Sequence, residues 1–224
     1  AGYVRMALEQ GKTVYVEKPL AVHMEQLREV WETFQAFSQD GRLLVGYNRR
    51  FAPLVKSLKA FFHGAVSPLT VLIRVNAGYI PPEHWYQDPD QGGRLVGEGC
   101  HFVDLCQYLC GADPVQVFCS GAIDREKSLA NQDSVTLTIR FANGASGVVH
   151  YLSDGDPGMP KERIEVFGGN TCAVLDDFRE LTLYRDRKKK TLRSKRADKG
   201  HAKEMEALIR FAGGRSPSPI PTQS

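Results

Sequence analysis

The sequence predicts an α/β protein in which a short parallel-sheet unit is followed by an α+β domain with a large, mostly antiparallel sheet. Three observations carry this expectation. Helical and strand patterns alternate from Tyr3 to Tyr47, strict apolar–polar alternation replaces them after Pro68, and turn dipeptides such as Asn143-Gly144 punctuate the later segments. At 224 residues the chain can bury a full core, and 42% hydrophobic with 25% charged residues is ordinary for a globular protein.

Tyr3 to Gln10 holds helix formers, Gly11 sits where a left-handed helix cap belongs, and Thr13 to Val16 is a β-rich run. A second helix–strand step follows. Met24, Leu27, Trp31, Phe34 and Phe37 recur at helical spacing, Asp40-Gly41 would end that helix, and Leu43 to Tyr47 is the next strand. Two such steps in succession predict parallel strands. Pro53 suits the first turn of a helix whose stripe is Leu54, Val55, Leu58, Phe61 and Phe62.

Beyond Pro68, Val71, Ile73 and Val75 alternate with Leu72, Arg74 and Asn76. Tyr79 to Gly93, rich in Pro, Gly and Asp, predicts a long loop, and loops of that length tend to be functional. Val135, Leu137, Ile139 and Phe141 share one face of a strand, Thr136, Thr138 and Arg140 the other, and Asn143-Gly144 closes a hairpin. Further strands are expected at Arg163 to Phe167, Cys172 to Leu175 and Leu181 to Tyr184, with Gly168-Gly169-Asn170 as a turn. Met205, Leu208, Ile209 and Ala212 predict a last helix stripe, closed by Gly213-Gly214.

Composition excludes several classes of function. No apolar stretch approaches the ~20 residues needed to cross a bilayer, and Ala1 to Gln10 reads as a helix rather than a signal peptide, so a cytoplasmic protein without a membrane partner is expected. The five cysteines form an odd set without framework spacing, which favours reduced thiols. Cys106, Cys110 and His101 lack a second close ligand pair, so no metal is expected. The net charge of +3 is local, because Arg185 to Arg196 holds eight Lys or Arg against one Asp. Leu192 is the only apolar residue there, so a solvated hairpin or loop, not a nucleic-acid site, is expected.

Chemistry concentrates in two places 83 residues apart. Glu17-Lys18-Pro19 ends the first strand, and the proline excludes the α region at Lys18, holding an ammonium extended at the carboxyl end of a parallel strand, where α/β proteins bind ligands. Gly97-Glu98-Gly99-Cys100-His101 then suits a tight turn into a helix, with His101 in the first turn, where the helix dipole favours a neutral imidazole. Asp104 lies on the same helical face and would orient the ring, while Phe102, Leu105, Cys106 and Leu109 anchor the helix. His101 is therefore expected to be presented rather than buried.

Val16-Glu17-Lys18-Pro19-Leu20, Gly46-Tyr47-Asn48-Arg49-Arg50-Phe51 and the segment from Gly92-Gly93 to Asp104 together resemble the glucose-fructose oxidoreductase, inositol dehydrogenase and rhizopine-catabolism family, Gfo/Idh/MocA. The resemblance runs from Ala1 to about Ile220. It implies a Rossmann domain for NAD or NADP, of which residues 1–48 would be the C-terminal remnant, followed by a substrate-binding and oligomerisation domain over residues 49–224. It also implies oxidation or reduction of one carbon of a sugar, nucleotide sugar or cyclic polyol, with a homo-oligomer built on the antiparallel sheet. Lys18 would hydrogen-bond the reacting hydroxyl and contact the nicotinamide ribose, positioned by Glu17 and Pro19, and His101 would carry the proton. Asn48, Arg49 and Arg50 would line the substrate pocket, with Trp85 and Arg94 from the long loop beside them.

The chain departs from the family pattern in two ways. Many members carry an aspartate where this chain has Gly97, and Glu98 is the carboxylate on offer instead. No Gly-x-Gly-x-x-Gly turn occurs in the sequence, so the main phosphate-binding element is not among these residues, and the isolated chain is expected to be marginally stable and inactive alone. Two other readings stay open: a non-catalytic sheet module for oligomerisation or sugar sensing, and an NAD-dependent lyase or glycosidase of the same fold using Glu98 as the acid.

Overall fold

The computed structural model describes residues 1–37, 42–64, 68–121 and 132–220. Helix α1 (Gly2–Glu9), strand β1 (Val14–Val16), helix α2 (Met24–Phe37) and strand β2 (Leu43–Val45) form the first unit, with β1 and β2 paired in parallel. Gly11 takes the left-handed conformation after α1, as a cap glycine should. The expected stop at Asp40-Gly41 lies outside the described residues. A 3-10 turn (Asn48–Phe51) leads to α3 (Pro53–Phe61), with Pro53 at its start.

The second unit is one eight-stranded sheet, in the order β10-β9-β8-β7-β3-β6-β5-β4. Its strands are β3 (Thr70–Asn76), β4 (Pro114–Gly121), β5 (Val135–Phe141), β6 (Ser146–Leu152), β7 (Glu162–Gly168), β8 (Thr171–Asp176), β9 (Glu180–Arg185) and β10 (Lys188–Arg193). All neighbours are antiparallel except β3 and β6. That pair is parallel because the chain leaves the sheet after β3, runs through the long loop and helix α4 (Cys100–Cys110), re-enters at edge strand β4 and comes back through β5 to lie beside β3 as β6.

Helices α3 and α4 cover one face of this sheet. Val71, Ile73, Val75, Leu137, Ile139, Val149, Ile164, Val166 and Leu175 meet Leu58, Phe102, Leu105, Cys106 and Leu109 in a continuous core. At roughly 25 cal/mol per Å² of apolar area removed from water, this face dominates the stability of the fold. The small-residue positions fit it: a Cβ on Gly147 would overlap the Cys106 sulfur. Cys106 and Cys110 are packing residues here, both buried and both reduced.

The basic run forms the expected solvated hairpin: β10 is an edge strand joined to β9 through Asp186 and Arg187 in left-handed conformations, with Lys188, Lys189 and Lys190 exposed. Lysines on an edge discourage pairing with another chain. Two expectations change. The α2 stripe is largely outside: Val30, Thr33 and Phe34 are buried, whereas Met24 (58%), Leu27 (39%), Trp31 (37%) and Phe37 (54%) are exposed. In α5 (His201–Ala212) the buried residue is Glu204, and Ile209 is exposed, because the helix lies against the Asn48–Phe51 turn through Glu204, Ala207 and Leu208. No helix among the described residues is long and apolar enough to cross a membrane.

Candidate functional site

The site lies where the end of β1, the Asn48–Phe51 turn, the start of α4 and the start of α5 converge. Lys18 lies two residues past the end of β1, its peptide bond to Pro19 is cis, and its Nζ donates to the Gly97 carbonyl at 2.6 Å. Gly97 belongs to a π-helical turn, Leu95–Gly99, that runs straight into α4. One hydrogen bond therefore joins the strand-end lysine to the backbone four residues ahead of His101.

His101 is the second residue of α4 and is buried, at 7% exposure, which corrects the expectation of a presented ring. The Tyr47 ring meets it edge-on at 6.1 Å between centroids. Its Nδ1 is buried with no hydrogen-bond partner among the described residues. Burial, and then the charges of Arg49, Lys18, His201 and Lys199, push its pKa down to about 2. The imidazole is therefore neutral, as expected, but for another reason. The π turn continues the helix backwards, so His101 does not sit at an open N-terminus; desolvation and four basic neighbours keep the proton off.

Asp104 does not orient His101. Its carboxylate accepts both a 2.8 Å bond from Arg50 Nε and a 2.7 Å contact from Arg50 Nη2, with both side chains nearly sealed from solvent. Burial pushes the Asp104 carboxyl up to about 6 even against that pairing. Arg49 is held likewise, donating from Nε and Nη2 to the two oxygens of Glu162 at 2.9 Å each, and Lys199 adds a third bond to Glu162 at 2.6 Å. Burial opposes the Glu162 charge, but these cations outweigh it and hold the carboxyl below its usual range. The expectation of two arginines lining a pocket gives way to two buried ion pairs that fix the turn to α4 and to β7. Asn48 completes the clamp by donating to the Lys199 carbonyl at 2.8 Å. Gly200 makes this possible: its φ is +92°, and a Cβ there would fall 2.5 Å from the Asn48 carbonyl oxygen.

Glu98 is engaged at both oxygens, one taking Tyr151 Oη at 2.6 Å and the other Lys161 Nζ at 2.6 Å. Burial alone would raise its pKa; the bonds from Lys161 and Tyr151 and the Lys161 and Arg49 charges leave it lowered. Arg94 is buried at 2% and bridges the Tyr151 hydroxyl and the Gly78 carbonyl. Trp85 is exposed at 63%, beside Tyr86, and forms no loop core. Glu17 accepts the Tyr15 hydroxyl at 3.0 Å, within reach of buried Glu204.

The structure thus gathers Lys18, Asn48, Arg49, Arg50, Glu98, His101 and Asp104 into one junction and leaves Trp85 at its rim. Sequence reading missed Tyr86, Tyr151, Lys161, Glu162, Lys199 and Glu204. Only Glu204 had a local signal, since Glu204, Ala207, Leu208 and Phe211 follow helical i, i+3, i+4, i+7 spacing and put a carboxylate on an apolar stripe.

Residues 63–173 match the family model for the GFO/IDH/MocA C-terminal domain. The chain is 32% identical over 177 residues to a myo-inositol 2-dehydrogenase of Thermotoga maritima, covering 77% of this chain and 52% of that protein. It is 27% identical over 187 residues to an oxidoreductase, YrbE, of Bacillus subtilis, covering 82% of this chain and 54% of that one. It spans about half the length of these curated relatives. Among solved structures, an oxidoreductase domain protein from Kribbella flavida superposes with a TM-score of 0.79 at 20% identity, over 99% of this chain and 70% of that one. A UDP-N-acetylglucosamine 3-dehydrogenase from Acidithiobacillus ferrooxidans gives 0.76 at 21% identity, over 97% and 67%.

Proposed function

This chain belongs to the Gfo/Idh/MocA family, and from that premise we propose that it forms the substrate-binding and proton-transfer part of an NAD- or NADP-dependent oxidoreductase acting on a hydroxyl-bearing carbon of a sugar, nucleotide sugar or cyclic polyol. The observation that carries the reading is the 2.6 Å bond from Lys18 to Gly97, which ties a cationic donor to the helix bearing a neutral, buried His101. A dehydrogenase needs such a pair: a cation to hold the reacting oxygen and a base to take its proton.

In oxidation, Lys18 donates a hydrogen bond to the substrate hydroxyl oxygen while His101 accepts the hydroxyl proton. The carbon becomes a carbonyl as its hydride leaves; in reduction the His101 imidazolium returns the proton to the oxygen. Burial, then the Arg49 and Lys18 charges, make the ring a poor resting base, and those two charges also favour alkoxide character on the substrate, which offsets part of that shift. The nicotinamide cofactor supplies the hydride acceptor when bound. Glu17, Lys18 and Pro19 suit its nicotinamide end, and the unpartnered His101 Nδ1 fits a pocket completed by ligands. The exposed apolar residues of α2 support a further segment packed against that helix. A homo-oligomer through the uncovered sheet face is supported by Phe118, Leu152 and Phe167, which the strand register places on that face and which are all exposed.

The test is product analysis with the full-length polypeptide, NAD or NADP, and a panel of cyclitols, aldoses and nucleotide sugars. Net reduced nicotinamide in step with ketone supports the dehydrogenase. Bond cleavage without net reduced cofactor would make it a lyase or hydrolase, and sugar binding without turnover would favour the sensing module.

A further inference from the structure

We propose that Tyr86 is a substrate-binding residue whose hydroxyl takes the place of a side chain at position 97, and that it selects polyols with a hydroxyl next to the reacting carbon. This rests on the function proposed above. Gly97 stands at the junction of the chemistry, its carbonyl holding Lys18 at 2.6 Å and its backbone leading one helical turn later to His101. A Cβ built on Gly97 would meet Tyr86 Oη at 2.7 Å, Cε2 at 2.9 Å and Cζ at 3.0 Å. The phenol end therefore rests on the Gly97 Cα, and the absence of a side chain at 97 provides the room for a ring delivered from another segment.

Tyr86 is held for such a role. Its ring packs edge-on against Trp85 at 4.9 Å and His84 at 6.5 Å, and its backbone N–H donates to His84 Nδ1 at 3.2 Å. The ring is thus fixed from one side while its hydroxyl has no hydrogen-bond partner among the described residues. The neighbouring polar groups are otherwise engaged: Glu98 with Tyr151 and Lys161, Arg49 with Glu162, Arg50 with Asp104, and Asn48 with Lys199. Burial, then the Glu98 and Cys100 charges, push the phenol up to about 12, so it stays protonated and can donate. A half-buried donor over Gly97, the residue whose carbonyl holds Lys18, suits one further oxygen of a polyhydroxylated ring. Trp85, exposed at 63% next to it, extends an apolar surface toward the C–H face of that ring.

The experiment uses the full-length polypeptide and its Tyr86→Phe and Gly97→Ala variants, with melting temperature as a control for folding. Equilibrium binding of myo-inositol and of its deoxy analogues is followed by tryptophan fluorescence, alongside KM and kcat. Tyr86→Phe should weaken binding and raise KM roughly 10-fold, as for loss of one hydrogen bond in a buried site, with kcat and cofactor affinity little changed. It should also lose the wild type's preference over one deoxy analogue. Gly97→Ala should do the same by displacing the ring, and the double variant should be no worse than either single one. Unchanged binding and KM in Tyr86→Phe, or a lower melting temperature as its only effect, would overturn the proposal. Wild-type binding of a polyol without hydride transfer would sink the oxidoreductase reading alone, leaving Tyr86 to be decided by the binding constants. If no polyol in the panel binds, both fall.

Discussion

Helices α2 and α4 carry apolar stripes of the same periodicity, yet one is largely exposed and the other sealed. In α4, Phe102, Leu105 and Cys106 are fully buried against eight strands; in α2, Met24 and Phe37 are more than half exposed beside two. Periodicity specifies which face of a helix is apolar, but the neighbouring sheet decides how much of that face leaves water. The catalytic candidates follow the same divide. His101 rides on the sealed helix, and Lys18 on the thin parallel pair, held across the boundary by its bond to Gly97.

The comparison is broken most severely by unpairing a buried charge at that boundary. Arg50→Ala leaves Asp104 without its cation, and chemical denaturation should show a loss of about 3–5 kcal/mol. Leu105→Ala, in the sealed stripe, should cost about 2–5 kcal/mol in the same measurement.

Glu204 gives a pH-dependent version of the same contrast. Burial, then Glu17, raises its pKa from 4.5 to about 7, against the bond from Tyr15; Asp104 adds a smaller push. Between those values the folded state binds more protons than the unfolded state, so stability falls as pH rises from about 4.5 through 7. Glu204→Gln should remove that slope, recovering about 1–3 kcal/mol at pH 8 in thermal melts compared with pH 5. A slope unchanged by the substitution would assign it to another group. The smallest effect is expected on α2: Met24→Ala should move the stability of the 224-residue chain by no more than about 0.5 kcal/mol. A larger loss in the full-length polypeptide would show that a further segment covers this helix.

Most of the fold was legible because its signals are local. Gly11 after α1, Pro53 at the start of α3, Asn143-Gly144 in the β5–β6 turn and the alternation in β3 and β5 each specify a conformation within a few residues. Lys18 and His101 were legible for the same reason. Their surroundings were not, because charge partners are chosen in three dimensions. Asp104 has His101 three residues away in sequence but finds Arg50, 54 positions earlier, and Arg49 finds Glu162 across 113. Gly97 misled in an instructive way: a glycine before a helix reads as a backbone need, whereas here it leaves space for the Tyr86 ring. The basic run was legible as a solvated hairpin, but not as the protective edge of an eight-stranded sheet.

The measurement that bears most directly on the central claim is the single-turnover rate of hydride transfer in the full-length polypeptide with His101→Ala, alongside cofactor affinity. A fall of roughly 10²-fold or more, with cofactor affinity little changed, is the predicted result for loss of the proton acceptor tethered to Lys18 through Gly97. An unchanged rate would contradict the account, since the buried imidazole would then be a packing residue and the junction would owe its chemistry to another group.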